Sequence, residues 1–267
     1  MDPDPTAMIY VCIAANNDAA TIGLLLWKIR QVFQSFPREY QLLVADDGST
    51  DATADVLSRY QRALPLTVLR QERPRGPAAC TEALLREALR RSDRPRRDVA
   101  LVIPPDFTVS PDGLPELLRR IDSGADLVVG ETPVDALPLG ARLVRRLTPW
   151  LLRPAARVPG VRDVLSGCVA IRLVTVRGVL QESATPFSTL HPLAWRAELV
   201  AWAAGGARQV ATAPVTWAPG AVPFARERTV PLALALTRAG RRLPAPRVAP
   251  AAPVRTERAP PAQRSAS

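Results

Sequence analysis

The sequence predicts an α/β fold, with a mostly parallel central sheet and helices on both faces, in a single domain. Two observations predict it. Short apolar runs alternate with segments in which apolar residues recur every three or four positions. The short runs are also continuously apolar, which is typical of strands that are buried on both faces of a parallel sheet. With 267 residues, 47% of them hydrophobic, the chain can bury a sizeable core.

The strands and helices alternate from the start of the chain. The first helix has apolar positions from Ile22 to Phe36, and Asn17 or Asp18 can cap its start. Gly76-Pro77 and Ser110-Pro111 open later helices, because proline suits the first helical position. Five strands are predicted in this half, at Met8–Ala14, Leu42–Ala45, Leu66–Leu69, Val99–Ile103 and Asp126–Gly130.

The alternation stops at residues 135–162. Arginines interleave there with leucines and Trp150, and Pro149 should break any helix in two. This pattern suits a membrane interface, and it equally suits a packed helix pair with an arginine-rich outer face. Further strands are expected at Val169–Ile171 and Gln209–Val215, with a helix over Trp195–Ala204 between them.

Four segments follow from this pattern: a flexible N-terminus at 1–7, two halves at 8–131 and 132–228, and a tail at 229–267. The tail is rich in Pro, Ala and Arg and is expected to be largely disordered. It also holds much of the formal net charge of +10. Residues 241–267 carry six Arg against Glu257 alone, which is a net +5.

The charge and the cysteines limit the class of protein. The basic excess indicates a solvated surface, or attraction to anionic lipids or phosphorylated substrates, rather than nucleic-acid binding. Cys12, Cys80 and Cys168 lack metal-ligand spacing, and they fit small buried residues in a reducing compartment. The acidic N-terminus is unlike a secretory signal. No apolar run approaches the roughly 20 residues of a membrane span, so a cytoplasmic protein, soluble or peripheral at the membrane, is expected.

A polar turn, Asp46-Asp47-Gly48-Ser49-Thr50-Asp51, follows the second predicted strand directly. Asp106 similarly follows the fourth. Ligands of parallel sheets bind beyond the carboxyl ends of the strands, where Asp46 and Asp47 can accept hydrogen bonds from a base or a ribose. The turn can also be purely structural, because Gly48 permits a tight bend and the side chains after it can cap a helix.

Four ordered elements, namely Ile13–Asp18, Ala45–Asp51, Arg73–Gly76 and the helix Ala79–Ala88, give the chain a family resemblance. Their order and spacing resemble family 2 glycosyltransferases, especially the dolichyl-phosphate mannosyltransferase-like branch. The resemblance implies the nucleotide-diphospho-sugar transferase fold, with a nucleotide-sugar-binding half at 8–131 and an acceptor-side half at 132–228. The residues that it implies for binding the nucleotide sugar are Ala15, Asn17, Asp18, Asp46, Asp47 and Gly76.

The resemblance also implies a metal site. The family has an Asp-x-Asp after the fourth strand, whose carboxylates hold Mg²⁺ or Mn²⁺ against the diphosphate. This chain has Pro104-Pro105-Asp106 there, so the motif is degenerate and keeps only its last acid. Asp106 is therefore the implied metal ligand and a catalytic residue. Alternatively, Asp106 only caps a turn.

On the acceptor side, the segment Asp163–Val169 is similar to the family's Asp followed by Ser-Gly-Phe-Arg. Asp163, Ser166 and Gly167 are kept, whereas the aromatic residue and the arginine are replaced. Arg172 is the candidate substitute for that arginine as a phosphate contact. Glu198 resembles a helical acid near the family's active site and is a second catalytic candidate. As a helical residue near Arg196, it can also be a solvated charge.

The function predicted from the resemblance is transfer of a sugar from a nucleoside-diphosphate sugar to an acceptor, with a lipid phosphate as the acceptor of the mannosyltransferase-like branch. Peripheral contact with an anionic membrane at its inner face goes with that acceptor. Pro104 and Val169 motivate an alternative, a non-catalytic nucleotide- or lipid-phosphate-binding relative. A nucleotidyltransferase would need a glycine-rich phosphate loop that the N-terminal part lacks. An NAD-type protein would need Gly-x-Gly-x-x-Gly after the first strand.

Overall fold

A computed structural model describes residues 7–132, 142–143, 158–182, 187, 193–217 and 229–240. Seven strands of this part form one sheet in the order β3-β2-β1-β4-β6-β5-β7. The strands are β1 (Ile9–Ala15), β2 (Tyr40–Asp46), β3 (Leu66–Arg70), β4 (Val99–Val102), β5 (Leu127–Glu131), β6 (Val169–Arg172) and β7 (Val210–Pro214). The helices are α1 (Ile22–Ser35), α2 (Thr53–Gln61), α3 (Pro77–Arg91), α4 (Leu114–Asp122), α5 (Leu173–Glu182), α6 (Ala194–Gly206) and α7 (Thr229–Gly240), with a short 3₁₀ turn at Pro111–Gly113.

Helices cover both faces of the sheet, as predicted. Because successive strand residues point to opposite faces, Val11 and Ile13 of β1 pack in one layer with α1 and α4. Tyr10 and Cys12 pack in the other layer with α3 and α6. Both layers are apolar, so the strands of the middle of the sheet are buried on two sides. The predicted α/β class with a mostly parallel sheet is confirmed.

One strand runs against the others. β6 is antiparallel to both of its neighbours, with Val102 of β4 opposite Val169 and Val99 opposite Arg172. The remaining pairs are parallel. The start of β6 therefore lies at the carboxyl edge of the parallel strands, and its end, Arg172, lies at the amino edge. This direction decides which residues can reach a site at the carboxyl edge.

The helix starts differ in detail from the prediction. The N-cap of α1 is Thr21, not Asn17 or Asp18, and its side chain makes no capping bond. Asp18 contributes its backbone carbonyl instead, which accepts from the N–H groups of Thr21 and Ile22. Ser110 does cap the 3₁₀ turn, since its side chain accepts from the Asp112 N–H.

Two of the predicted segments contain ordered residues. Residues 229–240, predicted to belong to a largely disordered tail, form α7, which packs on α6. Ala235 and Leu236 of α7 are buried, so the apolar residues of this segment supply a helix face that its bulk composition hides. At the other end, Ala7 is buried and the Met8 N–H donates to Asp98 Oδ1, so the predicted flexible N-terminus does not extend to residue 7.

Several predicted features lie outside the described residues. They are residues 1–6, most of the arginine- and leucine-rich stretch at 135–162, including Pro149 and Trp150, and residues 241–267. Within the described part of the chain, every helix is too short or too polar to cross a bilayer.

Candidate functional site

A cavity of about 350 Å³ opens at the carboxyl edge of the sheet. It lies where β1, β2 and β4 end and where β6 begins, and the first turns of α3 and α6 complete its wall. The described residues that line it are Ala14, Ala15, Asn16, Asp18, Asp47, Pro77, Thr81, Val102, Ile103, Pro104, Pro105, Asp106, Gly167, Leu193, Trp195 and Arg196. Of the predicted site residues, Ala15, Asp18, Asp47, Asp106 and Gly167 are therefore brought together.

The loop after β1 is tied to the Asp46–Asp51 turn. The Asn17 Oδ1 accepts from the N–H groups of Thr50 at 2.9 Å and Asp51 at 3.3 Å. Asn17 has a φ of 55°, a conformation that asparagine tolerates better than most residues. Asn17 is exposed and does not line the cavity. Its position indicates that it shapes the loop that carries Asn16 and Asp18.

The two acids of the turn have different positions. Asp46 is fully buried outside the cavity wall, its Oδ1 accepts from the Ser49 N–H at 3.1 Å, and its Oδ2 lies 3.7 Å from Arg70 Nε. Asp47 lines the cavity, and its carboxylate accepts from the N–H groups of Arg75 at 2.6 Å and Gly76 at 2.8 Å. Asp46 therefore shapes the turn, whereas Asp47 both faces the cavity and fixes the start of α3.

Gly76 shapes the backbone at the start of α3 and is not among the residues that line the cavity. It is the N-cap of α3, with a φ of 87° that favours glycine, and Pro77 follows at the first helical position. The wall here consists of Pro77 and Thr81, one turn apart on α3. Sequence reasoning missed Thr81, because a threonine inside an amphipathic helix carries no signal.

Asp106 caps a turn, as one of its two interpretations predicted, and it also lies at the cavity. It lines the cavity, and its Oδ1 accepts from the Thr108 N–H at 3.0 Å and from the Thr108 hydroxyl at 2.6 Å. Phe107 between them has a φ of 54°, so the bend is tight. Asp106 therefore caps a turn with one oxygen while its carboxylate lies at the cavity.

Asp18 is the second acid near Asp106. Burial raises the pKa of Asp18 from its ordinary value of 3.8 to about 6, against a lowering by the Asn16 N–H, and the negative charges of Asp106 and Asp51 raise it further. The Asp18 Oδ2 accepts from the Asn16 N–H at 2.8 Å. Two carboxylates that repel each other across one cavity are the charge arrangement that a cation relieves.

The donor set fits a hard divalent cation. Mg²⁺ and Mn²⁺ take carboxylate oxygens, and Mg²⁺ commonly binds through one or two carboxylates with the rest of its ligands from water and substrate phosphates. Among the described residues no three His, Cys, Asp or Glu side chains form a group that could hold a metal alone. Asp18 and Asp106 therefore suit a cation that binds together with a phosphate-bearing ligand.

Asp163 and Ser166, two residues predicted for the acceptor side, stabilise the loop before β6 through hydrogen bonds. The Asp163 Oδ2 accepts from the Thr132 hydroxyl at 2.6 Å, and its Oδ1 accepts from the Leu165 N–H at 3.2 Å. The Ser166 hydroxyl accepts from the Cys168 N–H at 3.3 Å. Both residues are buried and outside the cavity wall. They hold Gly167, which does line the cavity, with a φ of 73°.

The prediction that Arg172 contacts a substrate phosphate is wrong. Because β6 is antiparallel, Arg172 lies at the amino edge, opposite Val99. Its guanidinium donates to the carbonyls of Ala125 at 3.2 Å and Ile121 at 2.7 Å, and its Nε lies 3.5 Å from Asp126 Oδ1. Arg172 therefore stabilises the far side of the sheet.

Glu198 is buried in α6, with 2% of its surface exposed, and it is absent from the cavity wall. The alternative that Glu198 is a solvated charge is therefore wrong as well. Its catalytic role stays a prediction from the family resemblance.

The first turn of α6 brings residues to the site that the sequence did not single out. Trp195 and Arg196 line the cavity, and the Arg196 Nη1 donates to the Leu165 carbonyl at 3.1 Å. The Arg196 guanidinium carbon lies 5.9 Å from the centre of the Trp195 ring. Arg196 was not predicted as a site residue, because Glu198 lies close to it on the same helix. An Arg and an acid in such positions usually indicate an ion pair on the surface.

Comparisons with known proteins show similarity to glycosyltransferases. The sequence model described as Glycosyl transferase family 2 matches residues 10–172. A dolichol-phosphate mannosyltransferase of Pyrococcus furiosus is 24% identical over 177 residues, which are 64% of this chain and 48% of that protein. A dodecaprenyl-phosphate galacturonate synthase of Rhizobium johnstonii is 24% identical over 173 residues, 62% of this chain and 48% of that protein. The chain thus spans about half the length of these relatives.

Two solved structures are similar in fold. Mannosyl-3-phosphoglycerate synthase from Rubrobacter xylanophilus has a TM-score of 0.63 at 17% identity, covering 88% of this chain and 73% of that one. Glucosyl-3-phosphoglycerate synthase from Mycobacterium tuberculosis, in complex with UDP, has a TM-score of 0.58 at 19% identity, covering 88% and 80%. At these identities the likeness concerns the fold, which is that of nucleotide-sugar transferases.

Proposed function

We propose that this chain, which belongs to glycosyl transferase family 2, transfers a sugar from a nucleoside-diphosphate sugar to an acceptor. One observation carries the proposal. Asp47, Asp18 and Asp106 line a single cavity at the carboxyl edge of the sheet, and they follow three different strands. All three lie within the residues that the family model matches.

The nucleoside binds at the end formed by β1 and β2. A carboxylate has about four lone-pair positions, so Asp47 can accept from a base or a ribose in addition to the N–H groups of Arg75 and Gly76. The Asn16 side chain donates to the Asp47 carbonyl at 2.6 Å, which fixes the two loops together. Asp46 and Asn17 are positioning residues in this scheme, because they hold the turn and do not line the cavity.

The diphosphate lies near Asp106, at the end of β4. Asp106 and Asp18 would hold Mg²⁺ or Mn²⁺ together with phosphate oxygens. When bound, the metal stabilises the negative charge that develops on the departing nucleoside diphosphate. The covalent step breaks the bond between the anomeric carbon and the phosphate oxygen, and it forms a bond from that carbon to an acceptor oxygen. A phosphate acceptor is already anionic at neutral pH, so this step needs little help from a general base.

The acceptor is proposed to be a lipid phosphate, with the protein at the cytoplasmic face of the membrane. The names of the relatives support this choice, because they include transferases of dolichol-phosphate and dodecaprenyl-phosphate type. The chain covers only about half of those proteins, so the acceptor and the membrane contact are proposals for this chain.

A second candidate is a nucleotide-binding relative without catalytic activity. Pro104 stands where the family has the first acid of its Asp-x-Asp, and Asp106 already uses Oδ1 to cap its turn. A site with fewer carboxylates binds a cation more weakly, which would leave nucleotide binding while slowing departure of the diphosphate.

One experiment separates the two. Purified protein is titrated with UDP and GDP in the presence of Mn²⁺, and then incubated with a panel of UDP- and GDP-sugars and a prenyl phosphate. Release of nucleoside diphosphate that depends on the prenyl phosphate supports the transferase. Nucleotide binding without release across the panel supports the second candidate, and absence of any nucleotide binding overturns both.

A further inference from the structure

We propose that Arg196, seated against Gly167 and Trp195, is the residue that binds the phosphate group of the acceptor. This inference rests on the proposed function and assigns a residue to the acceptor end of its site. Arg196 lies in the first turn of α6, whereas the sequence suggested Arg172, which the fold places at the opposite edge of the sheet.

The loop before β6 is shaped to the Arg196 guanidinium. A Cβ atom at Gly167 would lie 2.8 Å from the guanidinium carbon and from Nε, which is closer than real Cβ atoms come. The Leu165 carbonyl of the same loop accepts from Nη1 at 3.1 Å. Gly167 therefore leaves room for the arginine, and the positive φ of 73° at this position suits glycine for a second reason.

Trp195 stands beside Arg196 in the same wall. Its side chain lines the cavity and is 5% exposed. The indole ring packs near the guanidinium, whose carbon lies 5.9 Å from the ring centre, and this contact helps to hold the charge of Arg196 in place.

Arg196 differs in charge from the other titratable residues of the cavity wall. The titratable residues of the described wall are the acids Asp18, Asp47 and Asp106, and Arg196 is its only basic residue. A guanidinium presents several N–H donors in a plane that matches the oxygens of a phosphate, and it stays charged at all physiological pH values. Among the described residues of the wall, Arg196 is therefore the group that attracts a phosphate monoester.

The sheet order assigns this cation to the acceptor rather than to the nucleoside. Asp47 follows β2 and Gly167 precedes β6, and these strands are separated by β1 and β4. Three strand spacings of about 4.8 Å place the two ends about 14 Å apart. Asp106, after β4, lies between them. A donor that reaches from Asp47 to Asp106 leaves the Arg196 end for the second substrate.

The test compares phosphate binding with nucleotide binding in the full chain. Arg196→Gln removes the charge, and Arg90→Gln is the matched control, because Arg90 is an exposed arginine paired with Glu87 far along α3. Farnesyl phosphate represents the lipid source of the phosphate, and glycerol 3-phosphate represents a soluble source. Dissociation constants are measured for both probes and for UDP and GDP with Mn²⁺.

We expect Arg196→Gln to weaken binding of the preferred phosphate probe about tenfold or more, the factor for loss of a charge-assisted hydrogen bond. Nucleotide affinity should stay within about twofold, and Arg90→Gln should change neither. Arg196→Lys should retain part of the affinity, and Trp195→Phe, which replaces the indole beside the guanidinium with a smaller ring, should lower it. The probe that binds the unaltered protein in this Arg196-dependent way identifies the lipid or the soluble source.

The inference is overturned if folded Arg196→Gln binds both phosphate probes as the unaltered protein does, or if neither probe binds the unaltered protein. Equal losses of nucleotide and phosphate affinity also overturn it, since they would place Arg196 at the donor diphosphate. If the unaltered protein binds a phosphate probe through Arg196 but binds no nucleotide, the proposed function fails, and Arg196 is a phosphate-binding residue of a site with another function.

Discussion

Asp106 combines a structural and a chemical role that one substitution can separate. In Asp106→Asn the amide oxygen can still accept from the N–H and hydroxyl of Thr108, whereas the charge that favours a cation is lost. We expect the stability to change by less than about 0.5 kcal/mol, and the gain in nucleotide affinity on adding Mn²⁺ to fall about tenfold. Nucleotide titrations with Mn²⁺ and with a chelator measure this gain.

The control is Asp93→Asn, since Asp93 is 82% exposed in its side chain and distant from the cavity. The same Mn²⁺ dependence in Asp106→Asn as in this control would remove Asp106 from the proposed metal site.

Asp18 should make the stability of the metal-free protein depend on pH. Burial raises the pKa of Asp18 to about 6 from 3.8, so the folded protein holds this proton more tightly than the unfolded chain. The contribution of Asp18 to stability is therefore full below about pH 4 and is lost as the pH rises through about 6. Asp18→Asn keeps an acceptor for the Asn16 N–H and should stabilise the protein by roughly 1–3 kcal/mol at pH 8.

Denaturant unfolding between pH 4 and 8, in chelator, tests this effect. The loss of stability over this interval should be smaller in Asp18→Asn than in the unaltered protein. Parallel pH profiles for the two proteins would contradict the assigned burial of a charged Asp18.

At the scale of elements, Asp126 joins three strands at the amino edge. It precedes β5, the Arg208 Nε before β7 donates to its Oδ2 at 3.1 Å, and Arg172 at the end of β6 lies 3.5 Å away. Burial raises the pKa of Asp126, but the hydrogen bonds and charges of Arg208 and Arg172 outweigh it, so the pKa is lowered overall. The stabilisation is therefore present above the ordinary value of 3.8 and is lost as the pH falls through the lowered value.

We expect Asp126→Asn to lower the free energy of unfolding by about 1–3 kcal/mol at pH 7, with unchanged nucleotide affinity because the cluster lies at the edge away from the cavity. Asp55→Asn, on the exposed face of α2, is the control. The difference between the two variants should shrink as the pH is lowered towards 3, and a constant difference would contradict the role of the Asp126 charge.

The helix α7 belongs to the packed structure, and a matched pair of leucines tests this. Leu236 is fully buried and Leu234 is 56% exposed on the same helix. We expect Leu236→Ala to cost about 2–5 kcal/mol of unfolding free energy, and Leu234→Ala less than about 1 kcal/mol. Urea unfolding of both variants gives the comparison. Equal small effects would mean that this helix contributes little to the core.

At the scale of the whole molecule, the two edges of the sheet carry different groups of residues. The carboxyl edge gathers three acids and Arg196 around the cavity, whereas the amino edge holds the ion pairs of Asp126 and the buried Asp98. Parallel strands deliver all their carboxyl ends to one edge, which is why residues far apart in the chain meet there. Substitutions at the amino edge should therefore affect stability more than binding.

The sequence by itself determined the parallel sheet, its two helical layers and the position of Asp47 and Asp106 at the cavity, because hydrophobic periodicity and position after a strand are local properties. Asp18 was implied by the resemblance to family 2 glycosyltransferases. Only the tertiary structure decided that Arg172 points away from the site and that Arg196 enters it. The direction of β6 and the packing of α6 on the Gly167 loop depend on contacts between distant segments, which no local pattern around these arginines encodes.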